Sequence, residues 1–104
     1  MTVVIKQRDT ARTFTDVLTI DSVPINLTGA SVKFVLRKPT GVVVKQTATI
    51  VTPVGGEVSY QPIATDFELS GTYAQEWEVT TSDSKVITFP SFGHNVIEVN
   101  PDLG

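Results

Sequence analysis

The sequence predicts an all-β domain, a sandwich of about eight antiparallel strands in two packed sheets. Val, Ile and Thr together supply 38 of the 104 residues, whereas the better helix formers Leu and Ala number five each. Apolar and polar residues alternate with a period of two in short segments, which clusters of Gly, Pro, Asn, Asp and Ser separate. No long helical segment interrupts this pattern.

Five strands are predicted in the first part of the chain, at residues 3–7, 12–21, 30–38, 42–52 and 57–61. In the second predicted strand, one face carries Phe14, Leu18 and Ile20. Asp16 interrupts that face, so we expect either a bulge or an exposed strand end there. The third strand has the cleanest alternation, which turns three residues toward the core: Val32, Phe34 and Leu36.

Residues 62–71 form the one irregular stretch, which is expected to cross between the sheets and to include a helical turn capped by Thr65. Strands at residues 72–81, 85–89 and 95–99 follow. Tyr73 comes directly after a Gly-containing corner, as in the tyrosine corner of immunoglobulin-like sandwiches, where the phenol bonds to upstream backbone. The predicted class is therefore an immunoglobulin-like β-sandwich, formed as a single domain over residues 1–104.

The composition excludes several kinds of function. The chain has no cysteine, which excludes disulfide scaffolds, thiolate zinc sites, iron–sulfur clusters and a cysteine nucleophile. Its one histidine, His94, cannot form a multi-histidine metal site within one chain, and we predict no cofactor. Eight basic and eleven acidic residues give a net charge of −3, so neither nucleic acid nor a membrane is expected as a partner. We find no signal-peptide pattern and no apolar stretch long enough to cross a bilayer.

Two arrangements could in principle carry chemistry. Glu76 and Glu78 are paired carboxylates on one strand face, but a solvated face is the favoured interpretation. Their expected cross-strand partners are Lys33, Arg37 or Lys45. His94 lies in a loop and would act as a general base only if a nucleophile and an orienting acid converged on it in space. Because no nucleophile motif accompanies it, we predict that the protein is not an enzyme.

Two short motifs are interpreted as turns. Residues 26–28 fit the N-glycosylation triplet, but a turn in which Asn26 and Thr28 bond local backbone is favoured. The pair Gly55 and Gly56 precedes neither a Lys-Ser/Thr motif nor a helix, so it is a predicted hairpin turn and not a phosphate loop.

The aromatic residues allow two interpretations. Trp77, Tyr73, Phe34 and Tyr60 could form a stacking platform for sugars or bases, but they lie at inward-alternating positions, which favours core packing. Phe92, in a loop, is the aromatic residue expected to be exposed and to touch a partner.

Several segments in order carry a resemblance to a known family: IKQRDT at residues 5–10, LTGASVKF at 27–34, VSY at 58–60, SGTYAQEWEV at 70–79 and ITFP at 87–90. Together they resemble the N-terminal domain family of phage baseplate upper proteins, an immunoglobulin-like module of bacteriophage tail and baseplate components. The resemblance covers about residues 3–103. It implies a structural role in the virion for a protein made in the cytoplasm of the bacterial host, and it transfers no catalytic motif.

The resemblance also implies partners. These would be other phage structural proteins, with the chain present in multiple copies in a symmetric assembly. Baseplate proteins of the family continue into further domains, whereas this sequence ends at Gly104, so a small adaptor or accessory of the tail tip, baseplate, neck or capsid surface is expected. A carbohydrate- or receptor-binding adhesin module is the alternative, because a sandwich supports both functions.

The first and fourth predicted strands each contain three consecutive apolar residues, so both faces of each strand are hydrophobic there. A solvent-facing edge does not need this hydrophobicity, and a partner strand could add to such an edge through main-chain hydrogen bonds. The predicted partner contacts are Val3, Val4, Ile5, Val42, Val43, Val44 and Phe92.

Overall fold

A computed structural model describes residues 2–90 and 93–102, and the elements of this part of the chain are all β-strands. The all-β prediction is therefore confirmed. The strands are β1 (Thr2–Lys6), β2 (Phe14–Val17), β3 (Thr19–Ile20), β4 (Val23–Pro24), β5 (Ser31–Arg37), β6 (Val43–Thr47), β7 (Thr49–Thr52), β8 (Glu57–Tyr60), β9 (Gly71–Thr80), β10 (Val86–Phe89) and β11 (Asn95–Asn100).

The strands form one large sheet and two smaller ones. The six-stranded sheet has the order β1-β11-β9-β5-β6, and β10 pairs with the second half of β9. The small sheets have the orders β2-β8-β7 and β3-β4. The expectation of uniformly antiparallel strands is wrong for β1, which pairs in parallel with β11. These two strands are far apart in sequence, so no tight turn forces them to run in opposite directions.

The predicted strand at residues 42–52 is two strands, because the chain leaves the large sheet at Ala48 and enters the small one. The Ala48 N–H still donates to the Val32 carbonyl at 2.9 Å, whereas β7 pairs with β8. Ala48 and Ile50 both pack against the core from these two sheets. A strand that wraps around the side of the sandwich in this way keeps its inner residues buried in both sheets.

The predicted strand at residues 12–21 also divides, at Leu18. Leu18 is buried, its N–H donates to the Gly56 carbonyl at 2.9 Å, and its own carbonyl accepts from the Ile25 N–H at 2.9 Å. The chain then turns outward into the β3–β4 hairpin. The prediction that Ile20 shares the buried face is therefore wrong, since its side chain is 45% exposed. These two divisions and the short hairpin raise the number of strands from about eight to eleven.

The β3–β4 hairpin turns at Asp21 and Ser22. Both residues have positive φ, 51° and 67°, which is the type I′ geometry favoured by two-residue hairpins. Asp tolerates this left-handed backbone better than most side chains. The turn therefore follows from local chemistry, although the hairpin does not continue either sheet of the sandwich.

Aromatic side chains fill the space between the two main sheets. Phe34 stacks on Tyr60 with ring centroids 4.2 Å apart and meets Trp77 edge-on at 5.3 Å. Tyr73, on the same face of β9 as Trp77, is also fully buried. The core-packing interpretation of these four aromatic residues is confirmed, as is the inward face of β5.

The irregular segment does cross from the small sheet to the large one, as predicted. The helical turn capped by Thr65 does not form. Instead, the Asp66 N–H donates to the Ile63 carbonyl at 3.0 Å, and the Asp66 side chain accepts from the Ile63 N–H at 3.0 Å. At the end of the crossing the Tyr73 hydroxyl donates to the Leu69 carbonyl at 2.7 Å, which confirms the predicted tyrosine corner.

Candidate interaction surface

The outer face of the six-stranded sheet combines charged and apolar side chains. Strand pairing sets Lys33 of β5 opposite Glu78 of β9 and Val35 opposite Glu76. Lys45 of β6 reaches across β5, and its ammonium lies 2.9 Å from the Glu78 carboxylate. Lys45 is therefore the cross-strand partner of Glu78. An exposed pair of this kind contributes little stability, about 0 to 1 kcal/mol.

A shallow concavity of about 190 Å³ lies on this face, where β5, β6 and β9 run side by side. Its lining is Val35, Arg37, Val43, Ala74, Glu76 and His94. His94 is exposed, and within residues 2–90 and 93–102 it makes no hydrogen bond to a Ser or Thr hydroxyl. The three apolar residues make the concavity suited to a side chain of a partner, with Arg37 and Glu76 available at the same place.

The free edge of β6 exposes unpaired backbone groups. The Lys38 N–H donates to the Val42 carbonyl at 2.8 Å, and the Ala48 N–H donates to the Val32 carbonyl at 2.9 Å. These bonds fix the phase of the β5–β6 ladder, in which alternate residues of β6 bond to β5. The N–H and C=O groups of Val43, Lys45 and Thr47 therefore point away from the sheet, and no described strand pairs with them.

The opposite edge, formed by β1, is partly closed. The Gln7 N–H donates to the Asn100 carbonyl at 2.9 Å, so odd-numbered residues of β1 bond to β11 and even-numbered residues face outward. At Lys6 those outward groups are already used. Its N–H donates to the Asp9 carboxylate at 3.1 Å, and its carbonyl accepts from the Asp9 N–H at 3.3 Å. Only the first part of β1, around Val4, remains open.

The predicted contact residues divide between the inside and the outside of the molecule. Val3 and Ile5 are part of the core, and Val44 is half-buried against it. The exposed members are Val4 (57%), Val42 (54%) and Val43 (53%). The two-sided hydrophobicity that marked these segments thus combines residues that face the core with residues that are exposed to solvent. Phe92 lies outside the described residues.

The β5–β6 hairpin is basic, although the chain as a whole is acidic. No Asp or Glu occurs between Asp21 and Glu57, and the hairpin and its turn carry four of the eight basic residues: Lys33, Arg37, Lys38 and Lys45. The net charge of the whole chain does not indicate this basic segment, whereas the net charge of each segment, counted separately, does. Lys33 and Lys38 donate to Thr47 and to the Thr65 carbonyl, whereas Arg37 has no ion-pair partner among the described residues.

A second exposed apolar group was not expected. Ile20 and Val23 face each other on the β3–β4 hairpin, and Val23 is 64% exposed. The β7–β8 turn with Val54 lies at the base of this hairpin, where Gly56 bonds to Leu18. An Asp-Ser turn flanked by Ile and Val was the sequence signal that could have indicated an isolated hairpin.

The other sequence motifs are structural. The Asn26 side chain accepts from the Thr28 N–H at 3.0 Å and from its hydroxyl at 2.7 Å, which confirms the predicted turn. Gly55 and Gly56 lie in the turn between β7 and β8, as expected. Among the described residues there is no cluster of three or more His, Asp or Glu side chains able to hold a metal ion. That part of the chain also has no helix able to span a membrane.

Comparisons with known proteins agree with the sequence resemblance. The family model described as BppU N-terminal domain, the domain of baseplate upper proteins, matches residues 2–99. A search of curated proteins finds no match. Among solved structures, the crystal structure of CopC from Methylosinus trichosporium OB3b is similar, with a TM-score of 0.57 and 14% identity over 98% of this chain and 86% of that chain. At this identity the likeness to CopC concerns the fold alone.

Proposed function

The chain belongs to the family of N-terminal domains of phage baseplate upper proteins, and from this membership we propose that it is an adaptor that docks on neighbouring virion proteins. The observation that carries the proposal is the family match over residues 2–99, nearly the whole chain. The family gives the chain a structural role in the phage tail or baseplate. Docking, the adaptor role and repetition in a symmetric assembly are the further steps proposed here.

The exposed valines at β1 and β6, two edge strands of the large sheet, are the proposed contacts. Val4 on β1 offers its exposed side chain, whereas Val42 and Val43 at β6 leave apolar surface in water next to unpaired backbone groups. Partners that add a strand to such an edge bury this surface and satisfy those groups at the same time. Val3, Ile5 and Val44 hold the two edge strands on the core, and Phe92 stays a proposed contact.

The adhesin alternative has less support. Carbohydrate-binding modules commonly stack sugars on exposed aromatic rings. Here Trp77, Tyr73, Phe34 and Tyr60 are buried in the core, so these residues do not form such a platform. The described edges at β1 and β6 expose valines, charged residues and unpaired backbone groups, which suit contacts between proteins better than contacts with a sugar.

The test is the protein content of intact particles. Virions of the phage that encodes this chain are purified by density gradient, and the chain is quantified against the major virion proteins by mass spectrometry. We expect a fixed ratio of copies per particle that persists through repeated purification, and antibody labelling at one location on the particle. A chain found only in the host lysate and absent from purified virions would overturn the proposal.

A further inference from the structure

The β6 edge is better suited to docking than the β1 edge, and its charge indicates the kind of partner. We propose that β6 binds an extended, acidic segment of a virion protein as an added strand, with a carboxylate of that segment at Arg37. This inference rests on the proposed function and adds to it the edge that docks and the chemistry of the partner.

The backbone of β6 is set for strand addition over three alternate residues. Val43, Lys45 and Thr47 direct their N–H and C=O groups outward, and the ladder to β5 occupies the residues between them. On β1 the Asp9 turn already uses the outward groups of Lys6. Natural proteins close free edges in such ways to prevent unwanted pairing. The β6 edge lacks this closure and is therefore more available to a partner than the β1 edge.

Arg37 is the side chain beside β6 that favours an acidic strand, since Lys45 is already paired with Glu78 and Glu76 lines the same concavity as Arg37. An added strand would place its outer side chains beside Val43 and Lys45, and the concavity at Arg37 adjoins Val43. Opposite charges on neighbouring strands are stabilising, and like charges directly opposite are destabilising. Arg37 has no ion-pair partner in the described part of the chain, so a carboxylate would be its first ionic contact. Arginine binds carboxylates in a two-pronged geometry that fixes register.

A second copy of the chain fits this edge less well. Pairing β6 with β6 of another copy would bring two basic hairpins together, each with four positive charges, of which only Lys45 is paired with a carboxylate, Glu78 of β9. Pairing β6 with β1 of another copy would need the outward N–H of Lys6, which already donates to the Asp9 carboxylate. A heterologous partner with an acidic extended segment avoids both conflicts.

The first part of the experiment compares proline and alanine at the two edges. Lys45→Pro removes an outward N–H and places a ring where the partner strand would lie, whereas Lys45→Ala removes the same side chain and keeps the N–H. Proline is tolerated where a strand N–H faces solvent. Val4→Pro and Val4→Ala form the matched pair on β1, where the N–H also faces outward. Each variant competes with wild type for incorporation into virions.

We expect Lys45→Pro to enter virions about tenfold less than Lys45→Ala, since several main-chain bonds are lost together. Val4→Pro should match Val4→Ala. Arg37→Glu should reduce incorporation by a similar factor. Lys6→Glu reverses the charge of an exposed residue on β1 and should leave incorporation unchanged. Equal incorporation of Lys45→Pro and Lys45→Ala, or a loss confined to the Val4 pair, would overturn the proposal.

Hydrogen exchange on wild-type protein gives a reading that does not depend on the folding of any variant. The amides of Val43, Lys45 and Thr47 should exchange fast in the free chain and slowly in virions, while the Val4 amide stays fast. Virions that contain the chain but leave these three amides unprotected would refute the β6 site and keep the proposed function. Virions that lack the chain would refute both. Protection in the isolated chain, with a dimer by light scattering, would assign the edge to a second copy and overturn the acidic partner.

Discussion

The Tyr60 hydroxyl donates a 2.6 Å hydrogen bond to the Asp66 carboxylate, which is only 2% exposed. The same carboxylate oxygen accepts from the Ile63 N–H at 3.0 Å. These two bonds tie the crossing segment to the end of β8. They also place Phe67 in the core, where it meets the Tyr73 ring edge-on at 5.3 Å. One buried carboxylate therefore joins the small sheet to the tyrosine corner of the large sheet.

Removal of the Tyr60 hydroxyl should destabilise the fold. Tyr60→Phe leaves the buried Asp66 carboxylate with one donor fewer, and an unsatisfied buried acceptor costs about 1 to 3 kcal/mol. The free energy of unfolding is measured in urea through the fluorescence of the single tryptophan, Trp77, which is buried in the native state. Thr13→Val is the control, because it removes an exposed hydroxyl whose 2.6 Å bond to Gln61 lies at the surface. Equal losses in both variants would contradict the role given to burial.

Stability should fall at alkaline pH. Burial raises the pKa of Tyr60 well above its usual range, and the hydrogen bond to Asp66 and the charge of Asp66 act in the same direction. Burial also raises the pKa of Tyr73, although its bond to the Leu69 carbonyl acts in the opposite direction. The unfolded chain releases these protons near pH 10, about the usual tyrosine value, whereas the folded chain retains them.

The sign of the effect follows from this difference. A group whose pKa is raised by folding contributes its full stability below the unfolded pKa and loses it as the pH rises toward the folded pKa. We therefore expect constant tyrosine contributions up to about pH 9 and a decline above about pH 10. Tyrosinate absorbance should stay low in the native protein there and appear on adding urea. Full tyrosinate absorbance of the native protein near pH 10 would refute the prediction.

Features that depend on neighbouring residues were predictable from the sequence, whereas contacts between distant residues were not. The inward face of β5 was predictable, because Val32, Phe34 and Leu36 repeat with a period of two and their neighbours are polar or less buried. Tyr73 was predictable from its position after a Gly-containing corner. Asp66 was not, because its donor Tyr60 lies in a different strand and nothing in the local sequence distinguishes a buried Asp from an exposed one. The same limit applies to Ile20, whose exposure depends on where Leu18 bonds.

The candidate surface was predictable in part. The apolar triplets at residues 3–5 and 42–44 do lie at β1 and β6, two edge strands of the large sheet. Which edge is closed was not predictable. The closure of β1 depends on the Asp9 side chain folding back to Lys6, and the positive φ of 62° at Arg8 that makes this turn is unusual for a residue other than glycine.

The tyrosine corner provides a prediction on the large sheet. Tyr73→Phe removes the hydroxyl that donates to the Leu69 carbonyl and leaves the buried ring in place. We expect a loss of about 1 kcal/mol, the net value of one such bond, which corresponds to a fall in Tm of about 4 to 8 °C for a domain of this size. Scanning calorimetry measures it. The loss should be smaller than for Tyr60→Phe, because no carboxylate is left buried; the reverse order would contradict this reasoning.

Alanine variants of two glycines with positive φ, Gly41 and Gly56, should distinguish the cost of a strained backbone from the cost of a steric clash. Gly56 has φ +68°, and a Cβ there would lie 2.8 Å from the Leu18 carbonyl oxygen and 2.9 Å from that of Ile25. Gly41 has φ +91°, and a Cβ there would meet nothing within 4 Å. Gly41→Ala should therefore cost only the left-handed conformation, about 1 to 2 kcal/mol. Gly56→Ala should cost about 1 to 3 kcal/mol more, because the Leu18 carbonyl and the Ile25 backbone, whose N–H donates to that carbonyl, must shift.

The Gly56 variant also tests how the β3–β4 hairpin is attached. The Leu18 carbonyl that the new methyl group would strike accepts the Ile25 N–H, and this bond closes the base of the hairpin. Faster amide exchange at Ile25 should therefore accompany the loss of stability in Gly56→Ala and be absent in Gly41→Ala. Equal losses of stability in both variants, with an unchanged exchange rate of the Ile25 amide, would show that the base of the hairpin does not pack tightly against Gly56. The cost would then come from the left-handed backbone alone, as at Gly41.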